Sequence, residues 1–396
     1  MENQRIEHLI ADIADAIRLD FDLEFESPTK DWGLYSGLLG KIIFLYYYSA
    51  FTEAERDRDF ADEALGKYLS NVRISSLGNS LCSGVAGILY GLRHLTVNGF
   101  ADVDFKSVIP LFHALTIKNI EKTEKKCFYD LMYGLSGLGI ISEKLGLRDI
   151  TEAILAKMKE GFIQSADGSY LLFDDFETDN KNENISLSHG MSGVILFLSI
   201  IHASQKEHSD TLTELLSQSV HYLMSNRYPA YESIGSMFPY QSIKEESTKS
   251  RLAWCYGDLG IGIALRSAAK TLNDERIITA AKQLFAFNST RLGVAENFVY
   301  DACICHGAAG ISQIFRSASE FYDDDSNLRN AYQYWIDQVV SFSRFADGPA
   351  GYKKRIENDY LSSYNLLEGV AGIGLCLISY LRPDLSKWEE LFFMNP

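Results

Sequence analysis

Seven copies of a Gly-x-x-Gly tetrad run through this chain at nearly even intervals. Their paired glycines are Gly37/Gly40, Gly84/Gly87, Gly134/Gly137, Gly190/Gly193, Gly257/Gly260, Gly307/Gly310 and Gly369/Gly372. The steps between first glycines are 47, 50, 56, 67, 50 and 62 residues. One such tetrad carries little information. Seven at quasi-regular spacing in 396 residues, each opening the same kind of segment, form a repeat. Each tetrad leads into an apolar stretch, as at residues 42–46, 194–198 and 373–378. Apolar character nearly all round such a helix implies burial on every side. Between the tetrads lie segments with apolar residues at three- and four-residue steps, at 54–69, 150–161, 210–224, 274–287 and 327–342. Each repeat thus reads as one inner apolar helix and one outer amphipathic helix. The β signal is weak, and no regular β-α alternation appears.

Length alone suggests two or three domains at roughly 150 residues each. A repeat that fills the chain overrides that prior and predicts a single domain over residues 1–396. An open solenoid needs polar terminal caps. Here the first and last tetrads lead into helices as apolar as the middle ones, which favours closure. The expected fold is therefore all-α: an α/α toroid with seven inner helices inside seven outer ones. The glycines then allow close backbone approach at each inner-helix start. Their role is structural, and chemistry is to be sought in the positions before them.

The residues just before each first glycine are Ser36, Ser83, Tyr133, His189, Tyr256, His306 and Glu368. One position earlier stand Tyr35, Cys82, Met132, Ser188, Cys255, Cys305 and Leu367. Three of the six cysteines and two of the eight histidines fall in these slots. In a closed ring, equivalent slots converge on one mouth of the barrel. Cys255 and the pair Cys305-His306 come from successive repeats and should be neighbours. Two thiolates and one imidazole make a plausible first shell for Zn²⁺ with a fourth position open, as in catalytic sites. Their place at helix N-termini favours the thiolate form. Buried core cysteines are the competing reading. Cys82 shares the slot from across the ring and is a weaker candidate ligand. Cys303, Cys127 and Cys376 read as packing residues.

His189 opens the neighbouring repeat and is a candidate acid/base, since its ordinary pKa near ~6.5 suits proton transfer. Asp130 is placed either to orient His189 or to cap its own turn. Arg251 and Tyr256 are candidates for fixed positive charge and a hydrogen bond at the mouth, against a solvated or packing role. Glu368 is a further candidate acid. The remaining histidines fall outside the frame and are assigned no role.

Composition narrows the classes. Asp and Glu number 53 against 37 Lys and Arg, a formal charge of −16. Such a surface repels nucleic-acid phosphates and anionic lipid, so no nucleic acid is expected, and at most peripheral membrane association. Apolar stretches fall short of the ~20 residues of a membrane span, and the N-terminus lacks a signal-peptide core. A cytoplasmic protein is expected. Six cysteines in so long a chain suggest thiol or metal chemistry rather than a disulfide scaffold.

At these residues the sequence resembles the lanthionine synthetase C-like family. The likeness rests on Trp254-Cys255-Tyr256-Gly257, Cys305-His306-Gly307, Ser188-His189-Gly190 and the seven tetrads, and it spans about residues 32–377. It implies one zinc ion on Cys255, Cys305 and His306, with His189 as acid/base and Asp130, Arg251 and Tyr256 in support. It also implies an intramolecular Michael-type addition in a precursor peptide carrying dehydroalanine or dehydrobutyrine. A peptide cysteine, deprotonated at the open zinc position, attacks the β-carbon; Arg251 or His189 stabilises the enolate, and His189 protonates the α-carbon to give a lanthionine thioether. A separate dehydratase and an export transporter are the implied partners. The connections at 226–250 and 346–364 are candidates for a substrate-contacting rim. Three alternatives stand beside this reading: addition of glutathione or another small thiol, a toroidal glycosidase, and a non-catalytic peptide-binding ring. The slots hold one carboxylate, Glu368, where a glycosidase needs two. A pure scaffold has no need of two cysteines and a histidine in one frame.

Overall fold

The computed structural model describes residues 2–121, 129–174, 180–204, 210–239, 248–323 and 325–395. The helices in chain order are α1 (Glu2–Glu26), α2 (Leu38–Thr52), α3 (Glu55–Asn71), α4 (Val85–Val97), α5 (Ile109–Glu121), α6 (Leu135–Lys144), α7 (Arg148–Gly161) and α8 (Met191–Ser204). They continue as α9 (Asp210–Ser225), the single turn α10 (Tyr231–Ile234), α11 (Asp258–Leu272), α12 (Glu275–Ser289), α13 (Ala308–Phe321), α14 (Ser326–Ser341) and α15 (Val370–Leu381). Helices α2, α4, α6, α8, α11, α13 and α15 each begin one residue after a tetrad's first glycine. Each packs on the next, and α15 packs back on α2, so the inner ring closes. Outside them α3, α5, α7, α9, α12 and α14 each cover the inner helix they follow. The seventh outer helix is α1, which comes first in the chain and packs on α15, the last inner helix. The expected α/α toroid of seven inner and seven outer helices is the fold.

The two rings differ in burial as their patterns require. In α8 the run from Met191 to Ser199 is buried throughout. In α9 the buried positions include Leu212, Leu215, Leu216, Ser219, Val220 and Leu223, a single stripe at three- and four-residue steps. The loop before each inner helix folds under the helix start, and glycine is what lets it do so. A Cβ on Gly37 would sit 2.3 Å from the Asp31 carbonyl oxygen, and one on Gly310 only 1.9 Å from that of Ile304. The folded-back carbonyls satisfy orphan helix N–H groups, as where Leu38 N–H donates to Asp31 O at 2.9 Å and Met191 N–H to Asn184 O at 2.9 Å.

Among the described residues, regular strand is confined to three short antiparallel pairs, β1/β2 (Ile163–Ser165, Gly168–Tyr170), β3/β4 (Phe173–Asp174, Lys181–Asn182) and β5/β6 (Lys354–Ile356, Asp359–Leu361). Among the described residues no helix is long and apolar enough to cross a membrane.

Candidate metal centre and active site

The slot residues form a belt. Tyr35 N–H donates to Cys82 O, Cys82 to Met132, Met132 to Ser188, Ser188 to Cys255, Cys255 to Cys305, Cys305 to Leu367, and Leu367 back to Tyr35, at 3.0–3.3 Å. Seven segments distant in sequence are thereby held edge to edge at one end of the inner barrel. The following side chains gather at a cavity of about 370 Å³ lined by residues of all seven repeats, including Ser36, Cys82, Tyr133, His189, Cys255, His306 and Glu368.

Cys255, Cys305 and His306 come together there, their ligand atoms all within 4.8 Å of one another. Thiolates at ~2.3 Å and an imidazole at ~2.0–2.1 Å from a tetrahedral zinc fit that spacing with small adjustment. The electrostatics suit a cation. A hydrogen bond from Cys305 drives the Cys255 thiol well below the ordinary cysteine value, against the effect of burial, and His306 and Arg251 add to it. The same contact, with burial, pushes Cys305 up. Burial opposes a charged His306, but Cys303, Asp301 and Cys255 outweigh it and hold the imidazole well above its usual range. Two cysteines and an imidazole are thus crowded together, a set whose protons a divalent cation would displace.

A second triad, Asp301, Cys303 and His306, is also closely spaced. Cys303 is the poorer ligand: its buried thiol is pushed up to about 11 by desolvation, and its Sγ accepts the His306 backbone N–H at 3.4 Å. Asp301 was not singled out from the sequence. Its Oδ2 lies 3.4 Å from His306 Nε2. Burial would raise this carboxyl, but His306 holds it down to about 2. A carboxylate beside a histidine ring is the usual device for orienting a histidine that holds a metal. Asp301 lies outside the two aligned columns, six residues before Gly307. Its one sequence signal was acidity beside Cys-x-Cys-His.

His189 lines the same cavity, with Nδ1 3.4 Å from Asp130 Oδ2. The other oxygen of Asp130, Oδ1, accepts the Tyr133 backbone N–H at 2.6 Å and so caps its own turn. The equivalent position is Ser80, Ser186 and Asn365 in other repeats, each accepting the same N–H three residues on. Only a carboxylate in that position has a second charged oxygen to offer a neighbour. Arg251 lines the cavity, donates from Nη2 to the Phe298 carbonyl at 3.2 Å, and keeps a buried Nε with no hydrogen-bond partner among the described residues. Tyr256 places its ring 6.0 Å from that of His189.

Other positions fall elsewhere. Cys82 reaches the cavity wall but lies outside both ligand triads. Glu368 lines the cavity, but its Oε2 accepts from Lys354 Nζ of β5 at 2.8 Å, so it stands as half of an ion pair. Cys376 is buried against Gln313 and Ser312. Cys127 and residues 240–247 of the 226–250 connection lie outside the described residues.

A family model described as lanthionine synthetase C-like protein matches residues 28–393. The chain belongs to that family. Among curated relatives, the nisin biosynthesis protein NisC of Lactococcus lactis subsp. lactis is 24% identical over 276 residues, 60% of this chain and 62% of the relative. The alignment thus spans less than two thirds of that protein. A solved structure of nisin cyclase superposes with a TM-score of 0.75 at 18% identity, covering 96% of each chain, and carries the same fold.

Proposed function

We propose that this lanthionine synthetase C-like protein is a zinc-dependent peptide cyclase that closes lanthionine or methyllanthionine rings in a dehydrated precursor peptide. One observation carries the reading: two cysteines and a histidine from successive repeats share one cavity with a carboxylate-paired histidine and an arginine. Cys255, Cys305 and His306 would hold the ion. When bound there, zinc supplies a Lewis acid that keeps an incoming peptide thiol deprotonated at neutral pH. The rest falls to the chain's own side chains. The peptide sulfur adds to the β-carbon of dehydroalanine or dehydrobutyrine, and the alkene electron pair moves to the α-carbon and its carbonyl oxygen. Arg251 offers fixed positive charge to that enolate. His189, its Nδ1 side held by Asp130, gives a proton to the α-carbon and is recharged from the solvent that took up the thiol proton; Tyr256 borders the ring and limits its movement. The net reaction is addition of S–H across C=C, with nothing left over.

The whole chain, 1–396, acts as one toroidal unit in the cytoplasm, receiving peptide from a dehydratase and passing it to an exporter. Purified protein tests this directly. Wild type should hold about one zinc per chain, Cys255→Ala and His306→Ala should lose most of it, and His189→Ala should keep zinc while ring closure falls about 10²–10⁴-fold. Full metal in both ligand variants, or undiminished cyclisation without His189, removes the assignment. Glutathione offered together with the peptide decides the nucleophile: intermolecular adducts in place of rings would make the protein a small-thiol transferase.

A further inference from the structure

His189 is held on one edge by a 3.4 Å contact to Asp130. Tyr133 meets the plane of its ring. Its ring lies parallel to the imidazole within 6°, with centroids 5.9 Å apart, an offset stack. Both ends of Tyr133 are tied. Its backbone N–H donates to Asp130 Oδ1 at 2.6 Å, so the carboxylate that touches His189 also fixes the residue stacked on it. Its hydroxyl donates to Cys82 Sγ, 3.6 Å away in the preceding repeat. Tyr256 borders the imidazole as well, tilted at 44°. Tyr133 is nevertheless 45% exposed and lines the cavity, which is not how a tyrosine that only fills core behaves.

We propose that Tyr133 is a positioning residue: held at its backbone by Asp130, its ring fixes the plane of His189 and so decides which face of the enolate receives the proton. The inference rests on His189 as the proton donor. In that step the proton leaves a ring nitrogen of His189, the enolate electron pair forms the new C–H bond at the α-carbon, and the imidazole is left neutral. An imidazole free to swing delivers the proton more slowly and to either face, since small misplacements of a reacting group are costly.

The test uses the zinc-loaded protein and a peptide with one dehydroalanine and one cysteine. Tyr133→Leu removes the flat face; Tyr133→Phe keeps it and removes only the hydroxyl. For Tyr133→Leu, kcat should fall about ten- to a hundredfold with KM nearly unchanged, and chiral analysis of the hydrolysed thioether should show mixed epimers at the α-carbon. Tyr133→Phe should restore most of the rate and a single epimer. Zinc content and melting temperature should match wild type in both. A Leu variant with wild-type kcat and one epimer overturns the proposal. So does a Phe variant as impaired as Leu, or a Leu variant that sheds zinc or melts early, which would make the residue merely structural. Full activity of His189→Ala sinks the underlying reading; a dead His189→Ala beside an unaffected Tyr133→Leu sinks this proposal alone.

Discussion

Asp130 and Asp301 show how a single carboxylate ties local structure to chemistry. Each spends one oxygen on its own loop, Oδ1 of Asp130 on Tyr133 N–H and Oδ1 of Asp301 on Cys303 N–H at 3.1 Å, and turns the other toward a histidine of the cavity. Asp301 Oδ2 also accepts the Arg355 backbone N–H at 3.0 Å, which ties β5 of the rim to the residue beside His306. Asp301→Asn keeps an acceptor for the loop but removes the charge behind His306. Zinc affinity, read by competition with a chromophoric chelator, should fall about 10–100-fold; an unchanged affinity would show that Asp301 serves the loop alone. Of these residues, Cys255, Cys305, His306 and His189 were legible in the sequence because aligned slots carried unusual side chains. Asp301 and the stacking of Tyr133 on His189 were not. Both depend on where a side chain reaches once neighbouring repeats pack, and no spacing encodes that reach.

The inner helix with its folded-under loop is the element that the glycines make possible. A Cβ at Gly87 would lie 2.1 Å from the Leu81 carbonyl oxygen, backbone that has no rotamer to escape into. Gly66, mid-helix in α3, has nothing within 4 Å of the same added atom. Calorimetry should therefore give opposite signs for one substitution: Gly87→Ala destabilised by about 1–3 kcal/mol, and Gly66→Ala stabilised by about 0.5–1 kcal/mol through restricted unfolded-chain freedom. Equal effects would mean that the tetrad glycines are not steric requirements. Helix pattern was readable where it was strong. The five amphipathic segments expected from spacing correspond to α3, α7, α9, α12 and α14, with ends differing by no more than three residues. Helix α5 escaped notice because Ile109–Glu121 carries apolar residues on too many sides to show a clear stripe, and only Phe112 and Thr116 of it are buried.

At the scale of the molecule, the chain ends are what complete the ring. Helix α1 supplies the outer layer for α15, and the segment after α15 turns into the barrel interior. Trp388, Leu391, Phe392 and Met394 are buried there. Its main-chain carbonyls are taken by inner-wall side chains: Leu391 by the Tyr35 hydroxyl, Glu390 by Tyr90 at 2.7 Å, Phe392 by the Trp254 indole at 2.9 Å, and Met394 by Ser317 at 2.6 Å and by Arg266. Trp254, which takes the Phe392 carbonyl, adjoins Cys255 and lines the cavity. The segment also carries an acid-sensitive contact. Burial alone would raise the Glu390 carboxyl, but a hydrogen bond with His94, with Lys144 and Arg93 nearby, outweighs it and holds the group below the ordinary glutamate value. With a native pKa below the denatured one, the unfolded chain takes up the proton first as pH falls. The contribution of Glu390 is therefore complete at neutral pH and is lost on acidification below the ordinary glutamate range near ~4.3. Glu390→Gln should lower the melting temperature at pH 7 and narrow its difference from wild type at pH 4; a constant difference across that range would exclude the linkage. The sequence by itself determined the repeat, the class of helix in each layer and the frame in which the reactive side chains stand, because glycine clashes and apolar periodicity act locally along the chain. Tertiary structure alone decided which end of the barrel the C-terminal segment fills, which carboxylate backs which histidine, and how the imidazole plane is held. These are contacts between residues dozens to hundreds of positions apart, and they exist only after the seven repeats have closed on themselves.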